Sequence, residues 1–590
     1  MFNVWAADSL APHLPLTKEE ILSLLEYPPN DELGDVALPC FALAKTMKQS
    51  PQLIARQLAD TISHPSFLAE AAGPYLNFRL NRSAFGEELL RAVRADAFWR
   101  PNIGGGKRVI IDMSSPNIAK PFGIGHLRST MIGNAIYRIL REVGYDTANV
   151  NHLGDWGTQF GKMITAYLRW GNPADIQASD NATKEYLSLY VKFHEEAERH
   201  PELEDEAREW FRKLETGDKV ATELWREMIG ESLKQFNKLY DRLGVTFDHV
   251  LGESFYNDKM DAVIEELRRT GLLEESDGAM VVRLDEFGKP PCLLVKSNGT
   301  SIYATRDLAT ALYRRNEMDG SLLLYVVGGE QSLHFQQVFR VLEKMDGSWE
   351  GRCKHIPFGL MMMEGQKMST RRGKVLFLED VLNEAVEQAK RIIEAKNPSL
   401  RDKEAAAEAI GIGAVVFGDL KNTRTLDVDF SLSEVLTFEG ETGPYLQYTY
   451  ARTSSILRKA AMSPGSEALS PNGAPDASPA GNFGAAAAPY ALPLRDADFG
   501  LADNAYAWPL LKLVAFYPAR LSQTAERYEP SILARYLLEL AQAFNRFYHH
   551  VKVLEGSESE QAFKLEVVKA VSDLLRKGLG LLGIRALEEL

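Results

Sequence analysis

Cysteine is scarce in this chain: Cys40, Cys292 and Cys353 are the only three in 590 residues, and they stand far apart. Such spacing excludes both a disulfide framework and a zinc cluster, and leaves three ordinary thiols suited to a reducing cytoplasm. Long apolar runs are missing too. None approaches the ~18 residues that a membrane helix needs, so no membrane partner is expected. The start, Met-Phe-Asn-Val-Trp-Ala-Ala-Asp8, has no basic segment leading into an apolar core, and no signal peptide is expected. Basic residues are outnumbered, 67 Lys and Arg against 81 Asp and Glu, for a net charge of −14. That balance argues against a general nucleic-acid binder. It still allows a partner that docks on local basic patches, with the acidic remainder discouraging non-specific contacts. No internal repeat is present.

What is present belongs to a folded protein of several domains: 45% hydrophobic and 25% charged residues. Residues 1–105 read as a small α+β domain, with a capped amphipathic helix over Ser50–Ala59 and a half-buried strand over Tyr75–Leu80. A Pro-Asn-Ile-Gly-Gly-Gly106 hinge closes it. From 106 to 430 strand-like runs alternate with helices. The clearest runs are Val109–Met113, Thr147–Asn151, Met280–Leu284 and Leu322–Val327, a rhythm that predicts a Rossmann-like parallel sheet covered by helices. Residues 170–245 form a charged helical insertion whose charge run reads as a solvated face. Residues 431–590 read as an all-α bundle, interrupted by a Pro-, Ala-, Gly- and Ser-rich flexible loop over 463–500.

The chemistry concentrates in the segment 112–130. An apolar strand runs into Asp112-Met-Ser-Ser-Pro-Asn-Ile-Ala-Lys-Pro-Phe-Gly-Ile-Gly-His126, and an amphipathic helix follows. A strand, a glycine turn and a helix start together offer free N–H groups and a positive helix end to an anion such as a nucleotide phosphate. Gly123 and Gly125 allow close approach to the backbone. Three further segments join it. These are Gly154-Asp-Trp-Gly157, the Tyr303-Ala-Thr-Arg-Asp307 run that sets Tyr303 and Asp307 one helical turn apart, and the basic loop Lys367-Met-Ser-Thr-Arg371. Taken singly, each has a bland reading: a turn, a surface loop, a surface carboxylate, a core aromatic.

Together, and in this order, these segments resemble the arginyl-tRNA synthetase family of class I aminoacyl-tRNA synthetases. Thr442-Gly-Pro-Tyr-Leu-Gln-Tyr448 adds to the resemblance, which covers nearly the whole chain. It implies an arginine–tRNA ligase with a catalytic domain over 106–430, an anticodon-binding helical domain over 431–590 and a tRNA-contacting N-terminal domain. The implied substrates are ATP with Mg²⁺, L-arginine and tRNA(Arg), with no resident metal and a monomeric chain. It implies that Pro116, Gly123, Ile124, Gly125, His126, Lys367, Met368 and Ser369 contact ATP. His126, Lys367, Ser369 and Arg371 carry the adenylation step. Asp112, Ser115, Pro116, Asn117, His126 and Gln331 hold the amino acid's backbone groups, and Glu253, Tyr303 and Asp307 its guanidinium. That last set suits a planar five-donor cation. Gly123 stands where the family's first motif usually begins with histidine, and Thr370 where the second often ends in lysine. The C-terminal aromatics and cations, Tyr506 to Lys552, read as core packing for most and as base-stacking surface for some. Two other readings stay open: a class I synthetase for another amino acid, and a non-catalytic tRNA-binding relative.

Overall fold

The computed structural model describes residues 2–28, 33–120, 122–179, 181–297, 303–363, 366–367, 377–462 and 494–590. The N-terminal part is an antiparallel sheet of Val36–Pro39, Tyr75–Leu80 and Phe67–Ala72, in that spatial order. The helix Pro51–Thr61 packs on it. Ser50 caps this helix by accepting from the Leu53 N–H, proline occupies its first turn, and Ile54, Ala55 and Leu58 are buried. Such a cap satisfies an orphan amide and contributes about 1 kcal/mol.

Five parallel strands form the central sheet: β1 Arg108–Met113, β2 Asp146–Asn151, β3 His249–Val250, β4 Leu322–Tyr325 and β5 Cys353–His355. Their spatial order is β5-β4-β1-β2-β3. Val109, Ile110 and Ile111 of β1 are at most 1% exposed, as expected of a strand covered on both faces. The order reverses between β1 and β4, and in open parallel sheets ligands bind beyond the strand ends at such a switch point. Three helices frame that point: α1 Gly125–Glu142, α2 Tyr303–Asn316 and α3 Ser332–Met345.

The expected strand near Met280–Leu284 exists, as Ala279–Val282, but it is not part of the parallel sheet. It is the middle strand of a separate antiparallel sheet, between Glu274–Ser276 and Cys292–Val295. A short β-branched run reads alike in either setting, and pairing decides. The charged insertion folds into the helices Pro173–Ala178, Ala182–Arg199, Glu202–Glu215 and Lys219–Leu243. Its charge run is a solvated face. Arg212 pairs with Glu209 on the same exposed side while Leu203, Ala207 and Leu214 are buried.

The C-terminal part is built from the helices Gly443–Ala461, Ala507–Arg527, Pro530–His550 and Glu558–Leu581. The loop expected over 463–500 needs correction at its far end. Residues 463–493 lie outside the described residues, but Leu494–Asp496 and Phe499–Asp503 form 3₁₀ turns, anchored by the buried Leu494 and Ala502. These helices pack back on the rest of the molecule: Arg94 pairs with Glu566 at 2.6 Å, and Arg138 of α1 donates to the Gly580 carbonyl at 3.1 Å. Trp508 and Tyr517 are core residues, whereas Tyr548 is 39% exposed. Among the described residues no helix is long and apolar enough to cross a membrane.

Candidate active site

The chain leaves β1 through two unusual backbone conformations. Ser114 and Ser115 have φ of 69° and 52°, and Ala119 follows at 57°. Left-handed conformations cost a non-glycine residue about 1–2 kcal/mol each, so neighbours must hold them. They do. The Ser114 N–H donates to Ser129 Oγ at 3.0 Å, and Ser114 Oγ lies 2.8 Å from both Thr130 Oγ1 and Tyr240 Oη. The Ala119 N–H donates to Ser232 Oγ at 3.0 Å. Tyr240 and Ser232 sit on the last helix of the insertion, which thereby braces the turn.

Asn117 lies against Gly154. The Gly154 N–H donates to the Pro116 carbonyl at 3.0 Å and the Ile118 N–H to the Gly154 carbonyl at 3.1 Å. A Cβ on Gly154 would come within 2.3 Å of Asn117 Oδ1, so this position requires glycine. Next to it, the buried Asp155 accepts from the Ser254 N–H and hydroxyl at 2.8 and 2.7 Å. That pair of bonds places Glu253.

At the start of α1, His126 donates its N–H to the Gly123 carbonyl at 3.0 Å. Its Nδ1 is buried with no partner among the described residues. Burial holds this imidazole below its ordinary pKa, so the ring is neutral at pH 7 and its free nitrogen suits a polar ligand group. Gly123 bridges to Phe377, and the Leu378 N–H donates to the Phe122 carbonyl at 2.9 Å. The exit of the second motif is therefore pinned to the first. Its entry is the strand Gln366–Lys367, antiparallel to Met361–Met363, which runs parallel to Val428–Asp429. The side chain of Lys367, and Met368, Ser369 and Arg371 entirely, lie outside the described residues. Arg128 of α1 ties the first motif to the segments that lead into the strands Met361–Met363 and Val428–Asp429. It is fully buried, pairs with Asp419 at 2.9 Å and donates to the carbonyls of Gly359 and Leu426 at 2.7 and 2.9 Å.

These elements surround a cavity of about 650 Å³ lined by Asp112, Ser115, Asn117, Gly123, Ile124, Gly125, His126, Glu253, Tyr303, Asp307 and Gln331, with others. Pro116 is a described candidate that does not line it; its carbonyl holds Gly154 instead. Three of its acids, Asp112, Glu253 and Asp307, converge from different elements, and each of the three has a basic partner. Asp112 pairs with the buried Arg314 at 2.7 Å and accepts from Ser115 Oγ at 2.9 Å. Glu253 pairs with Arg306 at 3.3 Å, and Asp307 with His334 at 2.5 Å. Burial pushes the Glu253 carboxyl up to about 7; Arg306 opposes this, and Asp307 and Asp155 add to it. Tyr303 is 64% exposed at the first position of α2.

Sequence reasoning missed His152, His334, Arg306 and Arg314. The first two line the cavity. Arg306 sits inside the Tyr303–Asp307 run already singled out, His334 three residues after Gln331, and Arg314 seven residues, two helical turns, beyond Asp307. His152 directly follows β2, at the carboxyl end of the sheet where sites form. Its Nδ1 is also buried and unpartnered among the described residues.

A second cavity, of about 870 Å³, opens in the C-terminal part between Lys396, Phe438, Tyr445, Tyr448, Arg452, Asn545, His549 and Leu590. The Arg452 guanidinium lies 4.9 and 5.0 Å from the rings of Tyr448 and Tyr548.

Comparison with known proteins agrees with this architecture. The family model described as the catalytic domain of class I (R) tRNA synthetases matches residues 90–432. A DALR anticodon binding domain matches 446–590, and the arginyl tRNA synthetase N terminal domain matches 6–80. Sheet, motifs and helical bundle thus define a class I aminoacyl-tRNA synthetase. Arginine–tRNA ligase 2 of Bacillus anthracis is 46% identical over 98% of this chain and 97% of its own. The arginyl-tRNA synthetase structures of Thermus thermophilus and Plasmodium falciparum superpose with TM-scores of 0.79 and 0.76 at 27% and 25% identity. The former covers 100% of this chain and 99% of its own, the latter 96% and 94%. The chain belongs to the arginyl-tRNA synthetase family, the arginine–tRNA ligases.

Proposed function

We propose that the 650 Å³ cavity holds L-arginine and ATP side by side and joins them. The arginine carboxylate attacks the α-phosphate, its oxygen–phosphorus bond forms as the bond to pyrophosphate breaks, and arginyl-adenylate results. The 3′-terminal ribose hydroxyl of tRNA(Arg) then takes the arginyl group and AMP leaves. No side chain needs to form a covalent intermediate. Catalysis rests on positioning and on donors aimed at phosphate charge.

In this reading Gly123, Ile124, Gly125 and His126 contact the nucleotide, with Pro116 shaping the turn. Lys367, Met368, Ser369 and Arg371 close on the phosphates. Ser115, Asn117, Gln331 and Asp112 hold the amino and carboxylate groups, and Glu253, Tyr303 and Asp307 take the guanidinium. Mg²⁺ arrives as the partner of ATP and screens its phosphates. The observation that carries the reading is convergence: the guanidinium set and the Gly123–His126 turn, from three separate segments, line one cavity. The second cavity offers Tyr448, with Tyr548 across Arg452, to a splayed anticodon base. Base–aromatic stacking contributes about 1–3 kcal/mol. We further propose that the enzyme works in the cytoplasm as a monomer. Sedimentation at working concentration tests the latter.

The decisive experiment is pyrophosphate exchange with each amino acid in turn, with and without total tRNA. Exchange with arginine alone is expected. Exchange with lysine or glutamate, or none with arginine and tRNA present, would overturn the reading.

A further inference from the structure

The two acids that face the guanidinium are held differently. Glu253 meets Arg306, a permanent cation. Asp307 meets a histidine: His334 Nε2 lies 2.5 Å from Asp307 Oδ2, and both side chains are about a quarter exposed. Among the described residues no other hydrogen bond reaches this carboxylate, so Oδ1 is unengaged. The contact also joins two elements. Asp307 stands on α2, and His334 on the first turn of α3, one turn after Gln331. The imidazole is itself kept in place by Phe335, edge-on at 5.5 Å.

We propose that His334 is a positioning residue for guanidinium recognition. With its proton on Nε2 it donates to one oxygen of Asp307, fixes the plane of the carboxylate and leaves the other oxygen for the substrate. A guanidinium presents its donors in a rigid fork, so an acid free to rotate loses part of the paired contact that one held in plane keeps. The inference rests on Asp307 being a guanidinium acceptor, as proposed above.

The test compares His334→Ala and His334→Gln in the full enzyme with tRNA present. The readouts are the arginine KM, the ATP KM and the inhibition constant of agmatine, which keeps the guanidinium and lacks the carboxylate. His334→Ala should raise the arginine KM and the agmatine constant together by about 10- to 100-fold, the range of a hydrogen bond to a charged group. The ATP KM should stay put, and the amide of His334→Gln should recover most of the loss. An unchanged arginine KM would overturn the inference. So would an equal rise in the ATP KM, or a much larger loss for arginine than for agmatine, which would mean that α3 and Gln331 had moved as a body. Asp307→Ala separates the two layers. Normal arginine kinetics in that variant would sink the guanidinium reading itself. A loss there without a loss in His334→Ala would sink only the positioning role.

Discussion

Lowering the pH from 8 to 6 should weaken arginine binding about tenfold through one carboxyl, that of Glu253. An ordinary glutamate, near pH 4.3, would stay ionised throughout. Here burial pushes the group up to about 7, against the pull of Arg306 and with help from Asp307 and Asp155. The ionised fraction then falls from about nine-tenths to about one-tenth between pH 8 and 6. Because the charged, two-oxygen acceptor that pairs with a guanidinium exists only in the carboxylate, the arginine KM should rise by about the same ratio. His126 and His152 are held below the ordinary imidazole value by burial, so both take up protons only after Glu253 has. The sign for stability is the reverse. The folded chain binds this proton more tightly than the unfolded chain, so the group stabilises the fold as pH falls below 7, by about 3–4 kcal/mol once it is below the ordinary glutamate value, and the contribution is lost as pH rises through 7. The assay is steady-state arginylation from pH 6 to 8 with the ATP KM as internal reference, repeated on Glu253→Gln. A flat arginine KM in the parent enzyme, or an identical slope in Glu253→Gln, would refute the reasoning.

Three further outcomes follow from packing and charge. Gly154→Ala should raise the arginine KM and spare the ATP KM, since its Cβ would press within 2.3 Å of Asn117 Oδ1; equal arginine kinetics would show that Asn117 does not hold the amino acid. Arg128→Met should cost about 3–5 kcal/mol by leaving Asp419 buried without its partner, read as a fall in the calorimetric transition of the catalytic part; an unmoved transition would contradict the pairing. Lys367→Ala should slow single-turnover adenylate formation by orders of magnitude with arginine affinity retained, and a normal rate would remove Lys367 from the phosphate site.

The strands β1 and β2 and the Ser50 cap were legible because their signals are local: apolar runs of the right length, and a hydroxyl just ahead of a helix. The motif residues around 112–126 and 303–307 were legible for the same reason. What stayed hidden depends on distant partners. The run at 279–282 looks like any short strand, and only its neighbours at 274–276 and 292–295 make it antiparallel. The pairings Glu253–Arg306, Asp307–His334 and Asp112–Arg314 span 53, 27 and 202 residues, and no local rule announces which cation will meet which acid. The turns at 494–503 carry few large apolar residues, yet two buried contacts suffice to order them.

Time enters through the hydrogen bond from Arg138 to the Gly580 carbonyl, which spans 442 residues. At about 5–20 residues per second, the ribosome needs roughly 20–90 s between making α1 and making its final support. Through that interval Arg128 of α1 gains its partner Asp419 after 291 residues, while Gly580 and the Arg94–Glu566 contact are still to come. A chain released before the last helix would keep the Ser232 and Tyr240 brace on its first motif and lack the final support of α1. The last helix to emerge thus completes the packing of α1, the helix whose first turn holds His126.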